Sequence, residues 1–408
     1  MTVRRAELAG VFDSPAAAVA AVVERLLPVS DETVALHRAA GRILAEPVRT
    51  DRPSPACDVS AMDGYAVRLD DVKVGHLPVA GEVSVGRSPP RMPRGAALRI
   101  FTGGPVPDDC EAIIPREQVR ERPEAIDLPA NLCVAPGRHI RRRGENGQAG
   151  ETIVEAGTRI TPAVVAAMAA SGIREPAVHR QVRVTLLVTG NEVHDVGVPV
   201  RPWQLRDSNG PALTTMFAGL AWVVWNGVRL VPDDRGQLRK SIVMALAESD
   251  AVLLTGGVSM GDYDFVPSVL TEVGCRIVFH GLPIRPGKPV LGAIGSEGQA
   301  VLGLPGNPVP VMTTARRIAV PVLRHVAGYA RHEPPTTCAA LANADNRTLD
   351  VYWSRPVRLV GHGQVGLVPT CGAGDIISAA RSDGFVEIPP NQGGSGPWPF
   401  YRWSADDA

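Results

Sequence analysis

The sequence predicts a multi-domain α/β plus β protein centred on a three-layer α/β domain, and three observations predict it. Apolar runs at residues 183–188, 251–254 and 300–304 each empty into a glycine turn, the pattern of parallel strands covered on both faces. A stretch of helical spacing follows the second of them, FVPSVLTEVG at 265–274, where Pro267 suits a first turn and Gly274 a stop. The texture then changes on either side: proline-rich, short alternating runs fill residues 49–128, and short strands separated by glycine turns follow residue 331.

A chain of 408 residues exceeds what one core supports. Four parts are expected: a helical N-terminal and linker region (1–48 with 148–177), an inserted, elongated β domain (49–147), the α/β domain (178–327) and a small C-terminal β-barrel (328–408). Residues 14–27 read as a helix capped by Ser14 with Pro15 in its first turn. A second helical pattern lies within 32–45, around LHRAAGRILA, and an alanine-rich helix at 161–171 marks the return of the chain after the insertion. The tail from Pro399 is expected to fray.

Composition excludes several functions. Forty-two basic residues balance 42 acidic ones, so a general nucleic-acid binder is excluded and an anionic substrate must be met by a local site. The six cysteines form no Cys-x-x-Cys pair, which argues against structural zinc and a disulfide framework. The N-terminus lacks an apolar signal core, and no stretch approaches the about 18 apolar residues of a membrane span. No membrane partner and a cytoplasmic location are expected.

The chemistry concentrates in loops. In TGGVSMGDYD at 255–264, Gly256, Gly257 and Gly261 let backbone N–H groups approach an anion, with Ser259 between them. The spacing matches neither a P-loop nor a dinucleotide fingerprint. Asp262 and Asp264 then suit an anion held through a divalent cation, or serve as plain helix caps. TGNE ends at Glu192, and in LPGNP the residues Pro305, Gly306 and Pro308 shape a third turn. Strand ends of this kind line one edge of a parallel sheet, where ligands bind.

Further candidates stand elsewhere in the chain. Asp63, in SAMDGYAV, forms an Asx turn or reaches a cation; Thr102 follows a strand in RIFTGGPVP. Asp207, in DSN, precedes a helix as a cap or a ligand. Arg285 and Lys288 are held between prolines and a glycine in RPGKP, a stiff placement for binding an oxyanion. The run 141–143, RRR, reads as a solvated face. No Ser-His-Asp arrangement is suggested. Together the residues suit metal-assisted chemistry on a phosphate-bearing small molecule.

These blocks, in this order and over nearly the whole chain, resemble the molybdopterin molybdenumtransferases, the family of bacterial MoeA-type proteins and the gephyrin E domain. The resemblance implies a three-layer molybdopterin-binding domain and a reaction of adenylylated molybdopterin with molybdate that releases AMP and needs a divalent cation such as Mg²⁺. It places Asp63, Thr102, Glu192, Asp207, Asp264 and Lys288 in the family's functional positions, with Asp63, Glu192, Asp207 and Asp264 as metal ligands. It also implies a homodimer with the site between subunits, and an adenylyltransferase and molybdoenzymes as partners. Two family carboxylates are replaced, by Asn191 and Asn146, which lowers the negative charge available to a cation; Arg285 stands where lysine is common. A weakened paralogue acting as a molybdopterin-binding scaffold, or an adenylyltransferase-like activity, are the competing readings.

Overall fold

The computed structural model describes residues 10–259, 264–334 and 336–405. The chain divides into two compact units, one made of Pro47–Glu155 and Ala166–Arg174, the other of Met1–Glu46, Ala156–Val165 and Glu175–Ala408.

The larger unit is built on a six-stranded sheet in the order Val223–Val231, Val182–Thr189, Ala251–Thr255, Ala300–Leu304, Leu291–Ile294, Arg276–His280. The first four strands run parallel, Leu291–Ile294 runs against them, and Arg276–His280 at the edge, antiparallel to Leu291–Ile294, shares the direction of the first four. Ala251–Thr255 and Ala300–Leu304 are buried at every position, as central strands covered on both faces must be. Alternate side chains feed two cores. Val184, Leu186, Val188, Leu253 and Leu302 pack with Pro15–Val23, Asn209–Ala218 and the helical run from Pro308 to Val326. Leu187, Val252, Leu254 and Val301 pack with Arg235–Glu248 and Val266–Glu272. Three layers result.

The register sets the working edge. Val188 pairs with Thr255, Thr255 with Leu304, and Thr189 with Val231, so the four parallel strands end level and their loops start along one line.

C-terminal to the sheet, Thr337–Leu341, Tyr352–Gly361, Gln364–Leu367, Gly384–Ile388 and Trp398–Arg402 close on themselves as a five-stranded barrel. From Pro399 to Ala405 the chain is therefore ordered rather than frayed: Trp398 and Phe400 enter the barrel core, and burying two aromatic rings outweighs the entropy of fixing this segment.

The second helix expected within 32–45 also does not form. Gly41 holds a left-handed φ of 76° in its middle. The flanking residues find partners elsewhere: Asp31–Thr33 pairs with Ala177–His179, only Leu36–Arg38 makes a 3₁₀ turn, and Ile43 and Leu44 bridge to Arg159 and Val178. Tertiary pairing with a distant segment overrides the local helical pattern.

The smaller unit holds its own six-stranded sheet, in the order Ala112–Pro115, Gly64–Val67, Ala97–Ile100, His76–Val83, Ala125–Asp127, Arg120–Arg122. Each face has a separate core: Tyr65, Val67, Ala112 and Ile114 on one side, Ala66, Leu98, Ile100 and Ile113 on the other. Gly64 is required at its place, since a Cβ there would lie 2.1 Å from the Ile114 carbonyl oxygen. No helix among the described residues is long and apolar enough to cross a membrane.

Candidate active site

At the level ends of the parallel strands lies a cavity of about 490 Å³. Its lining brings together Glu192, Asp207, Asp264, Gly256, Gly257, Ser259, Pro305, Gly306 and Pro308, all singled out in the sequence. Gly261 lies outside the described residues, as does Asp262.

The glycine loop is shaped by steric necessity. Gly256 and Gly257 have φ of 83° and 62°, and a Cβ on Gly256 would sit 2.7 Å from Thr189 Oγ1 and 2.8 Å from the Thr189 carbonyl oxygen. Only glycine fits both the conformation and the space. The Gly256 N–H donates to the Leu304 carbonyl at 3.2 Å, which ties the loop to the neighbouring strand end. The N–H groups of Gly257, Val258 and Ser259 donate to no acceptor among the described residues. Three consecutive amide donors on a cavity wall form a site for an anion.

Acidic groups stand beside these donors. Asp233 lies two residues beyond Val231 and was not singled out in the sequence, yet it lines the same cavity. Burial raises its pKa above the usual carboxylate range, and the charges of Glu192 and Asp264 push it further in that direction, against a hydrogen bond from the Asn191 N–H. Asn191 and Asp233 in fact bond reciprocally: the Asn191 N–H donates to Asp233 Oδ2, and the Asp233 N–H donates to Asn191 Oδ1, each at 3.1 Å. The Asn191 amide thus serves as a backbone clasp.

Asp207 is largely buried, and its Oδ1 accepts from the Gly210 N–H at 2.9 Å, capping the first turn of Asn209–Ala218. From that turn Asn209 donates through Nδ2 to the Gly306 carbonyl at 2.7 Å, joining the DSN and LPGNP segments. Asp207→Ala is therefore expected to cost about 1 kcal/mol through the lost cap and to reduce activity by releasing Asn209. Asp207→Asn keeps an acceptor and should retain both; thermal unfolding and catalytic turnover compare the two variants.

The cationic loop divides. Arg285 lines a second cavity, of about 690 Å³, with Asp345, Arg347, Trp353 and Arg355. Arg355 holds Asp345 through two bonds, at 2.6 and 2.7 Å, and stacks 4.1 Å over Trp353. Three guanidinium groups against one carboxylate leave this cavity positive. Lys288 is exposed and lines neither cavity, while its neighbour Pro289 lines the first.

In the smaller unit, Thr102 donates to Asp63 Oδ1 through its backbone N–H at 2.7 Å and its hydroxyl at 2.8 Å. Those two bonds, with Arg116 and Arg99 nearby, lower the Asp63 pKa and keep it ionised. Asn146 accepts from Arg141 Nη2 at 2.6 Å and donates to Ser54 at 3.2 Å. Among the described residues, no group of three His, Cys, Asp or Glu side chains is placed to hold a metal ion.

A parallel sheet whose level strand ends carry an amide-lined loop and acidic side chains around one cavity, with a terminal barrel and an inserted β unit, defines a multi-domain α/β ligand-binding class. Residues 14–172 match the MoeA N-terminal region (domain I and II), and residues 185–325 match the probable molybdopterin binding domain. The molybdopterin molybdenumtransferase of Haemophilus influenzae is 35% identical over 77% of this chain and 78% of its own length; that of Synechococcus elongatus is 34% identical over 90% and 92%. The crystal structure of the molybdopterin biosynthesis moeA protein from Pyrococcus horikoshii OT3 superposes with a TM-score of 0.79 at 25% identity, covering 96% of this chain and 99% of that one. The chain belongs to the molybdopterin molybdenumtransferase family.

Proposed function

We propose that the sheet-edge cavity binds adenylylated molybdopterin and that the protein inserts molybdenum into it with release of AMP. One observation carries the reading: three consecutive amide donors, at residues 257–259, which have no acceptor among the described residues, share a cavity with Glu192, Asp233 and Asp264. Carboxylates repel a phosphate bound beside them unless a cation stands between. All the candidate donors are hard oxygens, and Mg²⁺ is commonly held by one or two carboxylates together with substrate phosphates. Two of the carboxylates, Glu192 and Asp264, would hold such a cation together with oxygens of the substrate's phosphate, and when bound it would neutralise charge on that phosphate. The amides of the glycine loop bind and orient the phosphate, and Pro305 and Pro308 stiffen the adjoining turn, whose Gly306 lies against Gly256. The guanidinium groups of Arg285, Arg347 and Arg355 offer molybdate a positive surface. The test is AMP release from adenylylated molybdopterin by the purified protein. Release that requires both molybdate and Mg²⁺ supports the reading; none under any combination overturns it.

The proposal extends to a cytoplasmic homodimer in which Asp63 and Thr102 of one subunit complete the partner's cavity, handing product to molybdoenzymes and receiving substrate from an adenylyltransferase. It also retains the four-part division of the chain at residues 48, 147, 177 and 327. Mixing inactive Asp63→Ala protein with inactive Asp264→Ala protein should restore up to about one quarter of wild-type activity, because two-fold pairing leaves one intact site in each mixed dimer. Activity that stays at the level of the separate variants, with subunit exchange shown by tag pull-down, places each site within a single chain.

A further inference from the structure

We propose that His280 is a positioning residue for the substrate-binding glycine loop, an inference that rests on reading the sheet-edge cavity as the substrate site. His280 ends the outermost antiparallel strand, Arg276–His280, and lines neither of the two cavities described above. Its Nε2 lies 2.7 Å from the Val258 carbonyl oxygen. A carbonyl only accepts, so Nε2 carries the proton and donates.

Across residues 256–259 this bond adds to few other hydrogen bonds among the described residues. Two backbone bonds flank it: the Gly256 N–H to the Leu304 carbonyl, and the Val266 N–H to the Gly257 carbonyl, both at 3.2 Å. The His280 bond is the one side-chain hydrogen bond to the backbone of residues 256–259 among the described residues. It fixes the peptide that follows Val258, and that peptide contains the Ser259 N–H, the last of the three free donors. Val258 itself is anchored from the other side: its side chain is buried, and Gly303 leaves room for it, since a Cβ at 303 would come within 2.7 Å of Val258 Cγ1. With carbonyl and side chain both held, the 258–259 peptide has one orientation. Without the imidazole it can rotate, and its N–H leaves the array.

The test uses the full-length protein and three variants. His280→Phe and the shorter His280→Asn remove the bond, while His280→Gln places an amide N–H near the position of Nε2. Hydrogen–deuterium exchange at the Gly256 and Val266 amides, whose bonds tie down the two sides of the loop, reads the positioning with no ligand present, and steady-state AMP release reads its use. Loss of one net hydrogen bond predicts a rise in exchange rate and in KM for adenylylated molybdopterin of roughly 3- to 10-fold in His280→Phe and His280→Asn, with kcat much less affected and most of the loss recovered in His280→Gln. Unchanged exchange in both bond-removing variants overturns the proposal, as does a His280→Gln protein as impaired as His280→Phe. Altered exchange with no AMP release even from wild type leaves the positioning role standing and removes the reading of the reaction instead.

Discussion

Replacing Asp264 with alanine is expected to lower molybdate-dependent AMP release by at least about 100-fold, since even the outer partners of metal ligands cost 10- to 100-fold when removed. The side chain lines the cavity with Glu192 and Asp233, and its charge is one of those that raise the pKa of Asp233, so the three carboxyl groups share one electrostatic field. Taking one away removes part of the field that would attract a cation, while the sheet and its helices keep their cores. Circular dichroism and thermal unfolding should match wild type. A folded variant with wild-type turnover would show that Asp264 neither holds a cation nor meets the substrate.

A second large effect is expected in stability. Arg317 is buried in the helical run from Pro308 to Val326, and its Nε donates to both carboxylate oxygens of Glu387 at 3.2 Å while Nη1 reaches Glu333 at 3.1 Å. Glu387 sits on a fully buried barrel strand. Burial raises its pKa, and the charge and hydrogen bonds of Arg317 oppose that rise. Arg317→Ala removes the only cation that the structure places on this carboxylate among the described residues and leaves a buried group unpaired, a change that costs about 3–5 kcal/mol. The double replacement Arg317→Met with Glu387→Leu should be far milder, because no buried charge is left stranded and Glu333, which is partly exposed, turns to water. Guanidinium denaturation of the three proteins checks both statements; a midpoint for Arg317→Ala equal to wild type would mean that Glu387 is reached by water or another cation.

Local sequence was enough to locate most of the working edge. Short apolar runs bounded by glycine turns read as central strands covered on both faces, and paired glycines at 256 and 257 read as a tight turn, so the sequence already marked the loops that carry Glu192, Gly256, Asp264 and Pro305. Asp233 was not. Its strand, Val223–Val231, alternates between half-buried and exposed positions at the edge of the sheet, so it lacks the unbroken apolar run that flags a central strand. The sequence also left Asp207 open between cap and ligand; the structure adds that its Oδ1 accepts from the Gly210 N–H.

What the sequence by itself determined is the content of the site: glycines, prolines and acids bound to the ends of strands whose burial is written in their composition. What only the tertiary structure decided is which of these groups meet. The separation of Lys288 from the cavity, the clasp between Asn191 and Asp233, the failure of the helix around Gly41 and the closure of the barrel by Trp398–Arg402 all depend on partners many residues away. Hydrogen bonds and ring burial between distant segments carry no local periodicity, so their outcome is set by the register of strands and the packing of helices rather than by any single stretch of chain.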